Sequence, residues 1–466
     1  MRPKAGRLRS LAPTVLALVV GALLRIWMFR HFFDVNGDAL IYGGIAKNLL
    51  WQGRYALTAG LGEIYPTLIR LPGYPLFLAV CFRLFGMENY AAAAWVQMAL
   101  ELCGCLLLAA LVRRIATPAA AQCTLWLAAV CPFTAIYSAS PLTEAPTLFV
   151  LALALWTVAR FQDRPRWGPA LWFTFAVSYA ALLRPDGALA AVALAPALVV
   201  FRLGKGRREA APQRPRVARM ALVCLLLALA PFAAWTWRNW QVFHVFEPLA
   251  PRYATDPGED THAGWVAWVR TWSLDFVSTY NICWNVPGGP LDISQLPSRA
   301  FDSPAQYAET AALAADYNQN GWNLTPEMDT RFARLAVERR ATHPLRSWIW
   351  LPLGRVTDMW LRPRVENLPI DLDWWVYAHH NAETRFSWAY AGLNAIYLLL
   401  GLAGLCLRPR MWPWMLAYMV LRSALLLTVE APEARYTLEC FPILFVLGGV
   451  ALGRAWMKIF RTRIGD

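Results

Sequence analysis

The chain has 466 residues, of which 58% are hydrophobic and 16% charged, with a formal net charge of +14. Soluble domains carry about 25% charged residues, so this composition excludes an ordinary water-soluble protein. The positive charge does not mark a nucleic-acid binder either, because the basic residues fall in short links between apolar runs and form no continuous basic stripe.

Several apolar runs of roughly 17–22 residues match the ~30 Å hydrocarbon core of a bilayer. They predict an all-α fold, a polytopic membrane helical bundle of about ten spans. The basic links are RPKAGRLR at the start, Arg113-Arg114, RFQDRPR from Arg160, RLGKGRREAAPQRPRVAR from Arg202, Arg408 to Arg410, and MKIFRTR near the end. Links of this kind face the cytoplasm, which places both termini inside.

In chain order, the first span is expected over residues 11–29. Its basic start resembles a signal peptide, but no small-residue cleavage site follows and Arg25-Ile26-Trp27 continue the helix, so it reads as an uncleaved span. The first outer loop, 30–90, holds the stretch around which the chain is organised: Asp38 opens an amphipathic helix, and Tyr42 lies one turn later on the same face. Arg70, Pro72, Tyr74 and Pro75 then return the chain to the membrane. Residues 76–85 are too short to cross, contain Arg83, and are expected to lie along the interface. Spans follow at 91–112, 119–137, 145–159, 169–183, 188–201 and 220–237. Between them the outer turns are SPLTE with Glu144, Arg184-Pro185-Asp186-Gly187, and Arg238-Asn239.

From Arg238 to about Arg385 the chain is polar, aromatic and rich in Pro and Gly. It is too long for a simple connection and reads as a folded outer region. Within it, Thr325, Pro326 and Glu327 form a helix start and Pro344 a stop. Residues 347–361 are Trp-rich but interrupted by Pro352, Arg355 and Asp358, a second interfacial candidate. Spans at 388–407, 412–428 and 441–457 close the chain. The domain reading is a membrane catalytic module over 1–237, an outer region over 238–385, and C-terminal spans over 386–466. The nine cysteines show no metal-like CxxC pair, and most lie in apolar runs as small hydrophobes.

This topology puts Asp38, Arg70, Glu144, Arg184-Asp186, Arg238 and the Glu433-Ala434-Arg435-Tyr436 cluster on the outer side, although none of them was used to set the orientation. The Asp38/Tyr42 helix, the RLPGYP return, SPLTE, LLRPDG, WRN and the late EARY cluster together resemble the GT-C superfamily of integral-membrane glycosyltransferases. The likeness is to the branch of protein O-mannosyltransferases and the lipid A aminoarabinose transferase. It covers about the first 250 residues well and the last 80 loosely, by residue pattern and order. It implies a mannosyltransferase-like enzyme of the cell envelope with a polyprenyl-phosphate sugar donor and an active site at the outer surface of the cytoplasmic membrane. The family's first-loop acid maps to Asp38 and its second acidic position to Glu144. Some members carry an acidic pair in the first loop; here Asp34 and Asp38 stand four apart, a departure from the metal-binding pattern. No metal ligand is assigned, and a divalent cation is the one cofactor the resemblance leaves open.

The chemistry agrees with these residue types. A glycosyl donor outside the cytoplasm must arrive on a lipid, with its phosphate at the interface and its prenyl tail in hydrocarbon. Phosphate leaves with little need of protonation, whereas an acceptor hydroxyl must lose a proton. One carboxylate base and cationic clamps therefore suffice. Asp38 is the candidate base, with Glu144 as the second catalytic acid. Arg70, Arg184 and Arg435 are the phosphate partners, because a guanidinium makes two parallel charge-assisted bonds; Tyr42, Tyr74 and Tyr436 complete the candidate substrate contacts.

Each residue also has a plainer reading. Asp38, Asp34 or Asn36 could cap the helix, worth about 1 kcal/mol. Arg184 and Arg238 could snorkel to headgroups, Arg435 could pair with Glu433, and Tyr42 and Tyr74 could belong to the aromatic belt. His379 and His380 read as surface residues, and Glu101 and Arg422 as ionisable groups paired inside the bundle. Two other classes of function stand beside the transferase: a lipid or glycan transporter, for which internal repeats would be expected, and a non-catalytic envelope-assembly partner. The acceptor is unassigned.

Overall fold

The structure, a computed structural model, describes residues 3–60, 62–203, 214–375 and 381–464. His379 and His380 lie outside the described residues. The chain divides into two compact units: Met1–Pro257 with Ile396–Leu421 and Leu438–Asp466, and Gly258–Ala395 with Arg422–Thr437.

The first unit is built from α1 (Pro3–Phe32), α2 (Asp38–Gln52), α3 (Gly73–Phe85), α4 (Tyr90–Ile115), α5 (Pro118–Ala129), α6 (Pro132–Ala139), α7 (Glu144–Asp163), α8 (Trp167–Leu183), α9 (Leu189–Leu203) and α10 (Arg214–Phe243). Among the described residues the fold is all-helical apart from one small hairpin. Six stretches among the described residues are long and apolar enough to span a membrane: Leu11–Phe32, Tyr90–Ile115, Glu144–Asp163, Val217–Phe243, Asn381–Cys406 and Ala434–Ile459. The bent pair α5 and α6 makes a seventh. The other expected spans are shorter helices: α8 with 17 residues, α9 with 15, and the later Trp412–Leu426 with 15.

Helix limits follow local chemistry. Thr117 caps α5 by accepting from Ala120 N, and Pro118 occupies the first helical position, where no amide is needed. The expected third span is broken, because Pro132 has no N–H to continue the ladder, and the two halves meet at 50°. A carbonyl exposed by the break, Ala129 O, takes Arg25 Nη1 at 2.7 Å. Arg25 also grips Glu101 with two bonds, Nε to Oε2 at 2.6 Å and Nη2 to Oε1 at 2.7 Å, inside the bundle. An ionisable pair so placed must be matched internally, as the sequence implied for Glu101.

α7 is the core of this unit, buried along most of its length and packed on α4, α8 and α9. The last helix, Phe441–Ile464, lies against α5. A Cβ at Gly449 would meet Thr124 Oγ1 at 1.9 Å, and one at Gly453 would meet Ala120 Cα at 2.5 Å. These glycines, four apart, let two helix backbones approach as small residues do in membranes. An apolar cavity of about 260 Å³ lies between α8, α9 and α10, lined by Phe173, Val177, Ala195, Met220 and Leu225 among others; none of the candidate site residues lines it.

The loop over residues 30–90 contains a hairpin that the sequence reading did not anticipate, with β1 (Ala56–Thr58) antiparallel to β2 (Ile64–Pro66) and Leu57 opposite Tyr65. Asn48 of α2 donates to Ala56 O at 2.9 Å, which ties hairpin to helix. The C-terminal part of α10 and the segment after it hold the loop from the other side: Arg238 donates to Thr67 O at 2.8 Å and to Tyr55 O at 2.6 Å, and the Asp256 carboxylate accepts from Leu68 N at 2.7 Å. Arg238 is therefore a scaffold residue of the loop.

The second unit comprises α11 (Ala263–Val269), α12 (Pro304–Gln319), α13 (Pro326–Thr342), α14 (Leu351–Leu361), the first part of α15 (Asn381–Cys406), and residues 422–437. Its core is aromatic, with Trp265, Trp268, Trp272, Tyr317 and Phe332 buried together. Thr325 caps α13 through Met328 N, at the helix start read from the sequence. The Asp329 carboxylate accepts Gly264 N and Trp265 N at 2.9 and 2.8 Å, satisfying the positive end of α11.

Candidate functional site

α2 begins at Asp38 because Gly37, at a φ of 48°, turns the chain into the helix. The cap position belongs to Gly37, and no side chain caps the helix. Asp34 and Asn36 bond to each other through Nδ2 and Oδ2. The Asp38 carboxylate instead takes Arg70 Nη2 at 2.7 Å, which removes the plain capping reading. The Asp38 side chain keeps 29% of its surface exposed and Arg70 keeps 21%. The Arg70 guanidinium also lies over the Tyr42 ring, 5.9 Å from its centre. Tyr42 meets Tyr74 edge-on at 5.0 Å.

Tyr74 carries the network into the bundle: its hydroxyl donates to Gln97 Oε1, and Gln97 Nε2 donates to Ser140 O at 2.8 Å. The sequence reading missed Gln97; its signal was a polar amide one turn before Glu101 in an apolar run. Tyr74 is set by close backbone packing, because Gly73 presses on Leu182 and Leu183 at the end of α8 and its carbonyl accepts Tyr179 Oη at 3.0 Å.

Leu183 leads directly into Arg184. This guanidinium reaches three carboxylates: Glu144 at 3.2 Å, Asp186 at 3.3 Å and Glu439 at 3.5 Å. Glu144 opens α7, where the helix dipole favours a negative charge. Glu144 and Glu439 are each only 3% exposed. Glu439 also accepts Tyr418 Oη at 3.0 Å. Glu439 was absent from the sequence reading, which stopped at Tyr436; a carboxylate bordering the apolar run from Phe441 was its only signal.

Tyr42 feels both groups of charges. Burial pushes its phenol up to about 12, Asp38 and Glu144 push the same way, and Arg70 and Arg184 oppose them. The hydroxyl is therefore neutral at physiological pH, a donor and acceptor among fixed charges. The structure thus joins Asp38, Arg70, Tyr42 and Tyr74, and separately joins Glu144, Arg184, Asp186 and Glu439, with Tyr42 in the field of both.

Arg435 and Tyr436 belong to the second unit. There Arg435 Nε pairs with Glu433 Oε2 at 2.5 Å, and the Tyr436 hydroxyl bonds the same carboxylate. Two buried arginines fix their backbone: Arg364 donates to Ala434 O at 2.7 Å and to Thr437 Oγ1, and Arg422 donates to Tyr436 O at 2.9 Å. Arg422 has the structural role read from the sequence, whereas Arg364 was missed. Among the described residues no three His, Cys, Asp or Glu side chains are grouped to hold a metal ion.

Residues 70–237 match the family model described as dolichyl-phosphate-mannose-protein mannosyltransferase. That stretch includes Arg70, Tyr74, Glu144 and Arg184, and it begins after Asp38. No curated protein sequence matches the chain. Among solved structures, the Archaeoglobus fulgidus oligosaccharyltransferase AglB in complex with an inhibitory peptide and a dolichol-phosphate aligns at a TM-score of 0.52 and 14% identity, over 98% of this chain and 52% of that one. The same archaeal enzyme tethered to an acceptor peptide gives 0.50 and 14%, over 97% and 50%. ArnT from Cupriavidus metallidurans bound to undecaprenyl phosphate gives 0.38 and 16%, over 95% and 77%. The chain spans about half the length of the archaeal oligosaccharyltransferase it matches. The archaeal likeness shows a GT-C fold, the fold implied by the sequence resemblance.

Proposed function

We propose that the chain is a membrane glycosyltransferase that moves a hexosyl or pentosyl group from a polyprenyl-phosphate donor to an acceptor hydroxyl on a lipid, glycan or protein. Its site faces the outer side of the cytoplasmic membrane, with both termini inside. The observation that carries this reading is the Asp38–Arg70 pair, a partly exposed carboxylate held 2.7 Å from a guanidinium at the start of a helix beside Tyr42. A base must reach the acceptor and afterwards release its proton to water. The exposure of Asp38 permits both, whereas Glu144 is buried against Arg184.

In the proposed step the acceptor hydroxyl gives its proton to Asp38 as its oxygen bonds the anomeric carbon. The carbon–oxygen bond to the phosphate breaks, and its electron pair leaves with the polyprenyl phosphate. One displacement inverts the anomeric centre. Arg70 orients the carboxylate and adds positive charge where the leaving phosphate gains negative charge. Arg184, held by three acids, is a positioning residue for Tyr42 and Glu144. The match of residues 70–237 to a dolichyl-phosphate-mannose transferase model supports the donor class.

Purification in mild detergent followed by mass spectrometry of bound lipid tests the reading. A polyprenyl phosphate or its glycosyl form should co-purify. Co-purification of bulk phospholipid alone, with no release of polyprenyl phosphate from a glycosylated donor, would overturn it.

A further inference from the structure

Residues 345–361 of the second unit form an inside-out helix. A π-helical turn, Arg346–Trp350, runs into α14. Leu345, Trp348, Ile349, Trp350, Leu353 and Leu361 are all exposed, Trp348 and Trp350 by 65% and 67%. The buried side holds Arg355, wholly enclosed, together with Ser347, Leu351, Pro352 and Met359. Arg355 Nη1 donates to Arg270 O and Ser273 O, both at 3.0 Å, at the carbonyl end of α11. Burial pulls the Arg355 guanidinium down to about 10, with Arg270 adding to the effect and Glu430 opposing it. α13 in the same unit also encloses an arginine, Arg339, but it buries Phe332 and Leu335 and exposes Arg334 and Glu338, with Val337 as its one exposed large apolar side chain, where residues 345–361 expose six.

A helix that buries its arginine and exposes two tryptophans, an isoleucine and three leucines is matched to an apolar surrounding, since a contiguous patch of this kind is costly in water. The length points to a surface position. Seventeen residues at about 1.5 Å each reach roughly 25 Å, less than the ~30 Å core, and Arg355 and Asp358 interrupt the run. The chemistry of the patch is that of lipid: tryptophan is enriched at the bilayer interface. Arg346, at the edge of the patch, is clamped by Asp302 through two bonds at 2.6 and 2.7 Å. The same unit contains the first part of α15, a candidate span, so it is held at a membrane by its own chain.

We infer that the exposed face of residues 345–361 is embedded among phospholipid acyl chains, so that the second unit rests on the bilayer through α14. This does not depend on the transferase reading, and its test needs no activity. The natural chain, one copy per lipid nanodisc with diazirine-acyl phosphatidylcholine and phosphatidylglycerol, is photolysed and the adducts are mapped by mass spectrometry. Trp348, Ile349, Trp350 and Leu353 should carry lipid adducts, as should exposed Leu222 and Leu226 of α10. Trp322 and Tyr307, exposed aromatics of the same unit, should not. Hydroxyl-radical footprinting of the same discs should oxidise Trp322 and spare Trp348 and Trp350. An unlabelled 345–361 peptide beside a labelled α10, or oxidation of Trp348 and Trp350 equal to that of Trp322, would overturn the inference. Protection that appears only when discs hold two copies would do so too, because the patch would then be an interface between chains.

Discussion

Asp38 and Arg70 lie 32 residues apart in the chain and meet at 2.7 Å, the carboxylate on the first turn of one helix and the guanidinium just ahead of the next. The pair is partly exposed, so its contribution to stability is about 0–1 kcal/mol. Its proposed value is chemical. Asp38→Asn keeps the shape, removes the base, and should leave the melting temperature nearly unchanged. Transfer from a polyprenyl-phosphate sugar should fall by at least about 100-fold, the low end for loss of a general base. Initial rates and thermal melts on the same preparation check this; near-normal turnover would move the role to Glu144.

The charged members of the candidate site are legible as candidates because a charge in an apolar sequence is conspicuous. Asp38, Arg70, Glu144 and Arg184 each interrupt hydrophobic text at a turn between apolar runs. Their partners were not legible, because pairing such as Arg184 with Glu439 is decided by helix packing over long sequence distances. The break at Pro132 was hidden for the opposite reason: two short apolar helices with a proline between them have the composition of one span. The hairpin was hidden by size, since strands of three residues give too little alternation to read. Residues 347–361 read as interfacial from their tryptophans, but only burial shows that Arg355 points inward.

Gly73 explains the glycine of RLPGYP. A Cβ there would sit 2.5 Å from Leu182 O and 2.8 Å from Leu183 N, backbone atoms that cannot swing away. Gly73→Ala should therefore force apart the segments carrying Tyr74 and Arg184. The expected loss of stability is about 1–3 kcal/mol from overpacking, with turnover reduced by about 100-fold from misplacement. Gly60→Ala, with nothing within 4 Å, is the control and should match wild type. Thermal melts and initial rates of the two variants decide it.

Arg25 and Glu101 illustrate the cost of splitting a buried pair. Glu101→Leu or Arg25→Leu leaves one charge enclosed without its partner and should destabilise by about 3–5 kcal/mol. The double variant Arg25→Leu, Glu101→Leu removes both charges, so it should melt higher than either single variant, although Ala129 O then loses its donor. Detergent melts of the four proteins provide the double-mutant cycle. A double variant no better than the singles would mean that bonding to the broken helix, not charge matching, sets the requirement for Arg25.

The proposed orientation can be tested without substrate. Single cysteines at Gly62 and Asn320 in a cysteine-depleted chain should react with an impermeant maleimide from outside. A cysteine at Gly206, outside the described residues, should react only after the membrane is opened. The reverse pattern would turn the site toward the cytoplasm, where a lipid-linked donor is not required.

Arg435 separates two roles that geometry alone leaves together. Its Nε pairs with Glu433 at 2.5 Å, beside Tyr436 on the same carboxylate. If the pair were only structural, Arg435→Lys would serve nearly as well, since partly exposed ion pairs contribute about 0–1 kcal/mol. A donor phosphate makes a different demand: an ammonium cannot reproduce the planar fork that binds two oxygens. On the proposed role, Arg435→Lys shifts donor saturation to higher concentration. It also lowers the maximal rate, because charge developing on the departing phosphate is less well met. Donor titrations at saturating acceptor read both effects, and the melting temperature checks the Glu433 pair independently. A variant with unchanged melting and unchanged donor dependence would assign the phosphate to Arg70, whose guanidinium already stands beside the proposed base.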